Sequence, residues 1–209
     1  MDGDFFMGKR LKRVGIAALI AATVLTGGLL QDSRRLREEI LRLHVVAASD
    51  SAEDQAVKLQ VRDAILGSLQ QELEKLTDPQ EVFTYVESVL PKIERTANEV
   101  LRTAGFSEQA KVSLTEEAFP IREYDTFSLP SGIYHSLRVI IGEGDGHNWW
   151  CVVFPGLCTG QDPEQFREKA EESGFSDSLT GSLTGEYEIR FWVLDQLGRL
   201  QNYFLTKDG

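Results

Sequence analysis

The chain is poor in the residues that chemistry uses most. It has two cysteines and three histidines among 209 residues. Two cysteines cannot by themselves make a tetrahedral zinc site. His44, His135 and His147 show no metal-ligand spacing, so neither a metal nor a cofactor is expected. No GxSxG, HExxH or Walker pattern occurs, which removes the usual signatures of esterases, zinc peptidases and nucleotide hydrolases. Basic residues are also scarce, with 22 Lys and Arg against 33 Asp and Glu and a net charge of −11. Four of the basic residues, Lys9, Arg10, Lys12 and Arg13, sit together at the N-terminus opposed only by Asp2 and Asp4. Beyond that cluster the excess of acid is larger still, and such a surface repels phosphate backbones. A nucleic-acid partner is excluded. No internal repeat is present.

What the chain does have is 42% apolar and 26% charged residues, the composition of a globular protein. Its clearest physical signal follows the basic cluster: residues 14–30, VGIAALIAATVLTGGLL, carry no charge. Seventeen residues are at the lower limit for crossing a bilayer. A basic region followed by an apolar one is the pattern of a signal peptide or signal anchor, and its charge predicts a cytoplasmic N-terminus with the remainder exported. Residues 14–30 would then touch the membrane before or without cleavage; Thr26 and Gly28 match the small-x-small cleavage rule poorly. The expected organisation is a leader at 1–30, a linker at 31–39 and a single signalling domain at 40–209. Export bears on Cys151 and Cys158. Outside the cytosol two thiols tend to oxidise, and Pro155–Gly156 offers a turn between them. They read as a disulfide or as two buried reduced thiols.

Along the domain, Ile40–Ala47 alternates as a strand with one apolar face, and His44 on it reads as a satisfied strand residue. Ser51 with Asp54 three residues on suggests a helix cap. The stripe Val57, Val61, Ile65, Leu69, Leu73 and Leu76 predicts a helix over about 52–76. Asp78–Pro79 starts another helix, lined by Val82, Phe83, Val86, Val89 and Leu90. Pro91 kinks it or begins a third, which reaches Leu101 and is capped near Gly105. Ala110–Leu114 alternates as a strand; Phe119–Tyr124 and Leu129–Gly132 read as turns. Gln161–Ser173 suggests a short exposed helix over the sheet and Leu179–Glu186 a mobile segment. The alternation in Glu186–Trp192 predicts a last strand, and Leu194–Phe204 a terminal helix weakened by Gly198. The fold class is α+β: a small mixed or antiparallel sheet with two to three packed helices.

The rest is organised around Leu137–Cys158, LRVIIGEGDGHNWWCVVFPGLC. Two apolar runs flank a glycine-rich connection, which suits a hairpin or a strand–loop–strand unit. Trp149 and Trp150 are adjacent, so in a strand they point to opposite faces and only one can enter a given core. The other meets a second layer, a partner or solvent. Catalytic arrangements here are weak. GEGDG lacks the GxGxxG spacing, and its acids would repel phosphate. Cys151 with His147 is a conceivable thiol and base, and Glu143 with Asp145 a conceivable carboxylate pair. These would serve an exported cell-wall or peptide hydrolase, but an acidic loop is ordinarily just solvated. No enzyme is expected.

Four stretches together resemble one family. Arg42–Leu66, FPIREY at 119–124, Leu129–Cys158 with its GEGDGHNWWCVVFPGLC run, and EIRF at 188–191 are similar to the stage II sporulation protein R family, over nearly all of the chain after the leader. Ile121 and Gly156 depart from the pattern, where threonine and a second proline are usual. The resemblance implies a signalling protein made in the forespore and exported across its membrane into the intermembrane space. Its implied partner is a membrane-embedded aspartic protease of the mother cell (stage II sporulation protein GA type), which it triggers to process the precursor of sigma factor E. Aromatic and arginine residues are the usual anchors of interfaces. Arg122, Tyr124, Glu143, Asn148, Trp149 and Trp150, with the Gly142–Asn148 loop, are therefore the expected receptor contacts.

Overall fold

The structure, a computed structural model, describes residues 3–124, 126–155 and 163–207; of these, the side chains of 3–13, 18, 19, 21, 22, 163–165 and 205–207 fall outside the description. Cys158, Gly156 and the side chains of the basic cluster therefore lie outside the described residues. The chain begins with a helix, α1 (Gly3–Glu39), that carries both the apolar run and the segment expected as a linker. Val14, Ile16, Ile20, Val24 and Leu25 are exposed on it, while Leu36 is buried. Among the described residues no helix is long and apolar enough to cross a membrane.

The domain is built on a four-stranded mixed sheet with the order β2 (Ala110–Phe119), β5 (Gly132–Ile141), β1 (Leu41–Val46), β6 (Asn148–Phe154). β1 runs parallel to β5 and antiparallel to β6, and β2 is antiparallel to β5. The glycine-rich connection is thus a strand–loop–strand unit and not a hairpin, because β1 lies between the two strands it joins. A hairpin of two-residue strands, β3 (Arg122–Glu123) and β4 (Ser128–Leu129), stands apart from the sheet.

Two helices cover one face. α2 (Ala52–Leu73) starts at Ser51, whose side chain accepts from the Asp54 amide, and α3 (Pro79–Thr103) starts at Asp78, which accepts from the Gln80 amide. α3 runs through Pro91 as one helix. Gly105, just past its end, has φ +84°, a conformation that favours glycine. Val57, Val61, Ile65, Leu69, Val82, Val86, Ile93 and Ala97 close over Leu41, Leu43, Val45, Leu137 and Val139. Each of these valines, leucines and isoleucines contributes roughly 1.5–3 kcal/mol on burial, which makes this the main core.

The other face has its own, smaller core. Leu36, Phe119, Tyr134, Val152, Phe166, Leu179 and Leu194 meet there, contributed by α1, the sheet, α4 (Pro163–Glu172), α5 (Asp177–Leu183) and α6 (Glu188–Lys207). Two expectations are corrected on this side. Residues 179–183, expected to be mobile, form the buried α5, capped by Ser176, which accepts from the Leu179 amide. The expected strand Glu186–Trp192 is instead the lead-in and first turn of α6. Its alternating residues Tyr187 and Ile189 are exposed, so the alternation marks no buried face, and the Phe191 amide donates to the Tyr187 carbonyl at helical spacing. Gly198 is no weakness in this helix. A Cβ there would lie 1.4 Å from the Ser131 carbonyl oxygen, so glycine lets α6 press directly on the start of β5. Asp195 secures the same contact by accepting from the Ser131 amide (2.9 Å).

Candidate functional site

Successive strand residues alternate between faces, and the register decides which polar side chains meet. On β1, Leu41, Leu43 and Val45 enter the main core, so Arg42 and His44 face the other way. Arg42 is level with Ser136 and Val152, and His44 with Arg138 and Trp150. β2 brings Glu117 and Phe119 to this second face, and β6 brings Asn148 and Trp150. One end of the face is roofed by the smaller core. The other end is open, and there the polar groups gather.

His44 is held at both ring nitrogens: Nδ1 lies 3.1 Å from each oxygen of the Glu117 carboxylate, and Nε2 lies 2.8 Å from Asn148 Oδ1. The two partners grip the ring from either side. Neither nitrogen is free to take a proton from a substrate, and the expectation of a satisfied strand histidine holds in this sense. Arg138 Nε stands 3.3 Å from Glu117. Burial pushes the Glu117 carboxyl up, but the His44 hydrogen bond and the charges of His44 and Arg138 outweigh it and hold the group below the usual carboxylate range. The His44 ring also packs on Trp150 (5.6 Å between centroids) and edge-on to Phe119 (6.1 Å).

The β3–β4 hairpin lies over this cluster. Arg122 stacks its guanidinium 3.9 Å above the Trp150 ring, a cation–π geometry. Tyr124 accepts a 2.8 Å hydrogen bond from Nη2 of Arg42. Arg42 is wholly buried, 4.0 Å from the centre of the Phe119 ring and 5.0 Å from that of Tyr134. Its Nε and Nη1 have no hydrogen-bond partner, and Arg122 Nε is likewise buried without one. Burial pulls the Arg42 guanidinium below its ordinary value, with the Tyr124 contact opposing. A guanidinium keeps its proton in spite of such a shift, so a cation sits inside the domain with no carboxylate among the described residues at hydrogen-bond distance.

Of the expected contacts, Arg122, Tyr124, Asn148 and Trp150 therefore come together on one surface. Trp149 and Glu143 do not join them. Trp149 faces the helical side, where Arg62 of α2 lies 4.4 Å above its ring. Glu143 is exposed on the turn between β5 and β6. That turn is pinned to the start of α2: the Gly146 amide donates to Ala47, Lys58 Nζ donates to the His147 carbonyl, and Asp50 accepts from the His147 amide and pairs with its ring. Gly146 permits this docking, since a Cβ there would fall 2.2 Å from the Ser49 carbonyl oxygen. The glycines serve packing rather than a phosphate.

Cys151 points into the main core and is disulfide-bonded. Cys158, its expected partner, lies outside the described residues. In extended chain, four residues separate His147 from Cys151 by about 13 Å, and His147 is exposed and bonded to Asp50, so thiol and imidazole do not meet. Among the described residues no group of three His, Cys, Asp or Glu is placed to hold a metal. Arg42, Glu117 and Arg138 belong to this cluster although no motif in the sequence marks them. The one available signal was Arg42 and His44 alternating through an otherwise apolar strand.

Comparison with known proteins bears on the same surface. Residues 37–163 match the family model described as Stage II sporulation protein R (spore_II_R). Stage II sporulation protein R of Bacillus subtilis (strain 168) is 34% identical over 121 residues, which are 58% of this chain and 54% of that protein. The chain thus spans about half the length of the curated relative it matches. No solved structure matches it significantly. The matched segment contains every residue of the second-face cluster, while α5, α6 and the apolar run of α1 lie beyond it.

Proposed function

Because the chain belongs to the stage II sporulation protein R family, we propose that it is an exported intercompartmental signal that switches on a membrane-embedded aspartic protease of the stage II sporulation protein GA type. That protease then processes the precursor of sigma factor E during endospore formation. The apolar run at 14–30, with its basic flank, takes the domain across the forespore membrane into the intermembrane space, or holds it at that membrane. A narrow compartment raises the effective concentration of two facing partners, so a modest interface suffices.

The observation that carries this reading is the convergence of Arg122, Tyr124 and Trp150, all half-buried, with the exposed Asn148 on one surface, where His44 has both ring nitrogens engaged. An arginine stacked on a tryptophan and backed by a rigid sheet is the composition of an interface anchor. A hydrolase built on Cys151 with His147 finds no support, because the thiol is oxidised and the imidazole is distant. The test is reconstitution in a non-sporulating host that expresses the protease and the precursor, with this chain complete, lacking residues 1–30, or absent. The proposal requires cleavage only with the complete chain. Cleavage without this chain would sink it.

A further inference from the structure

We infer that the second face receives an acidic segment of its protein partner, with carboxylates seated between Arg122 and Arg138. This deepens the proposed function and rests on it for the existence of a partner. Beyond its leader the chain is strongly acidic, yet among the described residues this face brings together Arg42, Arg122 and Arg138, with Glu117 paired to His44 and Arg138 and Glu123 exposed beside Arg122 on the hairpin. Glu117 is already committed to His44 and Arg138. Arg122 is held by a ring, and among the described residues its Nε has no acceptor. Arg42 adds a buried charge directly behind, and a buried charge is screened by neither water nor salt to the degree a surface charge is. The open side of Arg138 is reachable, with 40% of its side chain exposed. Asn148, also exposed, supplies an amide beside them.

Arginine presents a planar fork that matches a carboxylate in two places, and a flat ring beneath fixes the fork's plane. The surrounding acid sets specificity. The net negative charge of the domain disfavours an acidic partner segment in other registers and so favours the one that meets the arginines.

The test uses the purified full chain in a mild zwitterionic detergent and fluorescein-labelled hexaglutamate, with hexaglutamine as its uncharged counterpart and inorganic phosphate as competitor. Anisotropy should show hexaglutamate binding at least tenfold more tightly than hexaglutamine at low salt. Arg122→Gln and Arg138→Gln should each weaken it about five- to tenfold. Arg102→Gln, on the far helix α3 and paired with Glu99, should leave it unchanged. Circular dichroism of each variant separates loss of binding from loss of fold. Equal binding of the two peptides, no binding, or the same loss from Arg102→Gln overturns the inference. So does displacement by phosphate as effective as by unlabelled peptide, since that marks a general anion site. Receptor activation in the reconstituted host without any peptide preference would defeat this inference alone and leave the proposed function standing.

Discussion

Replacing Arg42 with methionine should change the stability of the domain by no more than about 1.5 kcal/mol, although the residue is completely buried. The interactions lost are a charged hydrogen bond to Tyr124, worth about 1.5–3 kcal/mol, and two ring contacts at 4.0 and 5.0 Å worth about 0.5–2 kcal/mol each. Against these stands the relief of a buried cation. Its desolvation, which already includes two nitrogens without partners among the described residues, costs several kcal/mol. The two sides nearly cancel, and methionine is long and pliant enough to follow the same path past the rings. Leu43→Ala, one residue along and facing the main core, should by contrast cost about 2–5 kcal/mol. Urea unfolding followed by far-ultraviolet circular dichroism measures both. The acidic-peptide affinity of Arg42→Met should fall while its fold persists. A loss of 3 kcal/mol or more from Arg42→Met would refute the reasoning, because it would make the arginine a structural keystone and not a charge retained for the surface it backs.

Glu117 gives a prediction in pH. Its folded carboxyl is held below its ordinary value of 4.5; the stability it contributes is therefore present above that value and lost as pH falls through the lower, folded one. Unfolding midpoints should drop below about pH 4.5, and Glu117→Gln should flatten that fall while costing roughly 1–2 kcal/mol at neutral pH; an unchanged acid slope in the variant would count against the assignment. At Gly198 two principles compete. Alanine in a helix interior is ordinarily worth about 1 kcal/mol over glycine, but here its Cβ would overlap the Ser131 carbonyl at 1.4 Å. Gly198→Ala should lower stability by about 3 kcal/mol or more and speed amide exchange at Ser131, whose amide donates to Asp195, as α6 lifts; a more stable variant would show that the close approach is not real. Gly146→Ala should likewise loosen the β5–β6 turn from Ser49, seen as faster amide exchange at His147, and unaltered exchange there would contradict the packing role given to the GEGDG glycines.

Local chemistry was legible and distant pairing was not. The caps at Ser51 and Asp78 and the stripes along α2 and α3 depend on residues within one or two turns, and the sequence displays them directly. The second-face cluster depends on contacts between residues 73, 82 and 104 positions apart, and no short window contains them. Parity alone separated Trp149 from Trp150, but the choice of face needed the register of β6 on β1. Glu143 drew interest as a charge beside glycines, and the turn turned out to be spent on docking against Ser49 and Asp50. The misread strand at Glu186–Trp192 has a similar cause. An alternation of period two signals a strand only when a sheet lies beneath it, and here Asp195 and Gly198 anchor the segment to Ser131 as a helix.

The most direct test of the account compares two sets of substitutions in the reconstituted host. Arg122→Gln and Trp150→Leu alter the second face; Glu143→Gln and Arg62→Gln alter the turn and the helical side. With export and abundance matched by immunoblot, cleavage of the sigma-E precursor should fall at least tenfold for each of the first pair and stay within twofold of the unaltered chain for the second. Full cleavage with Arg122→Gln and Trp150→Leu, or an equal loss in all four variants, would contradict the assignment of the signal to this face.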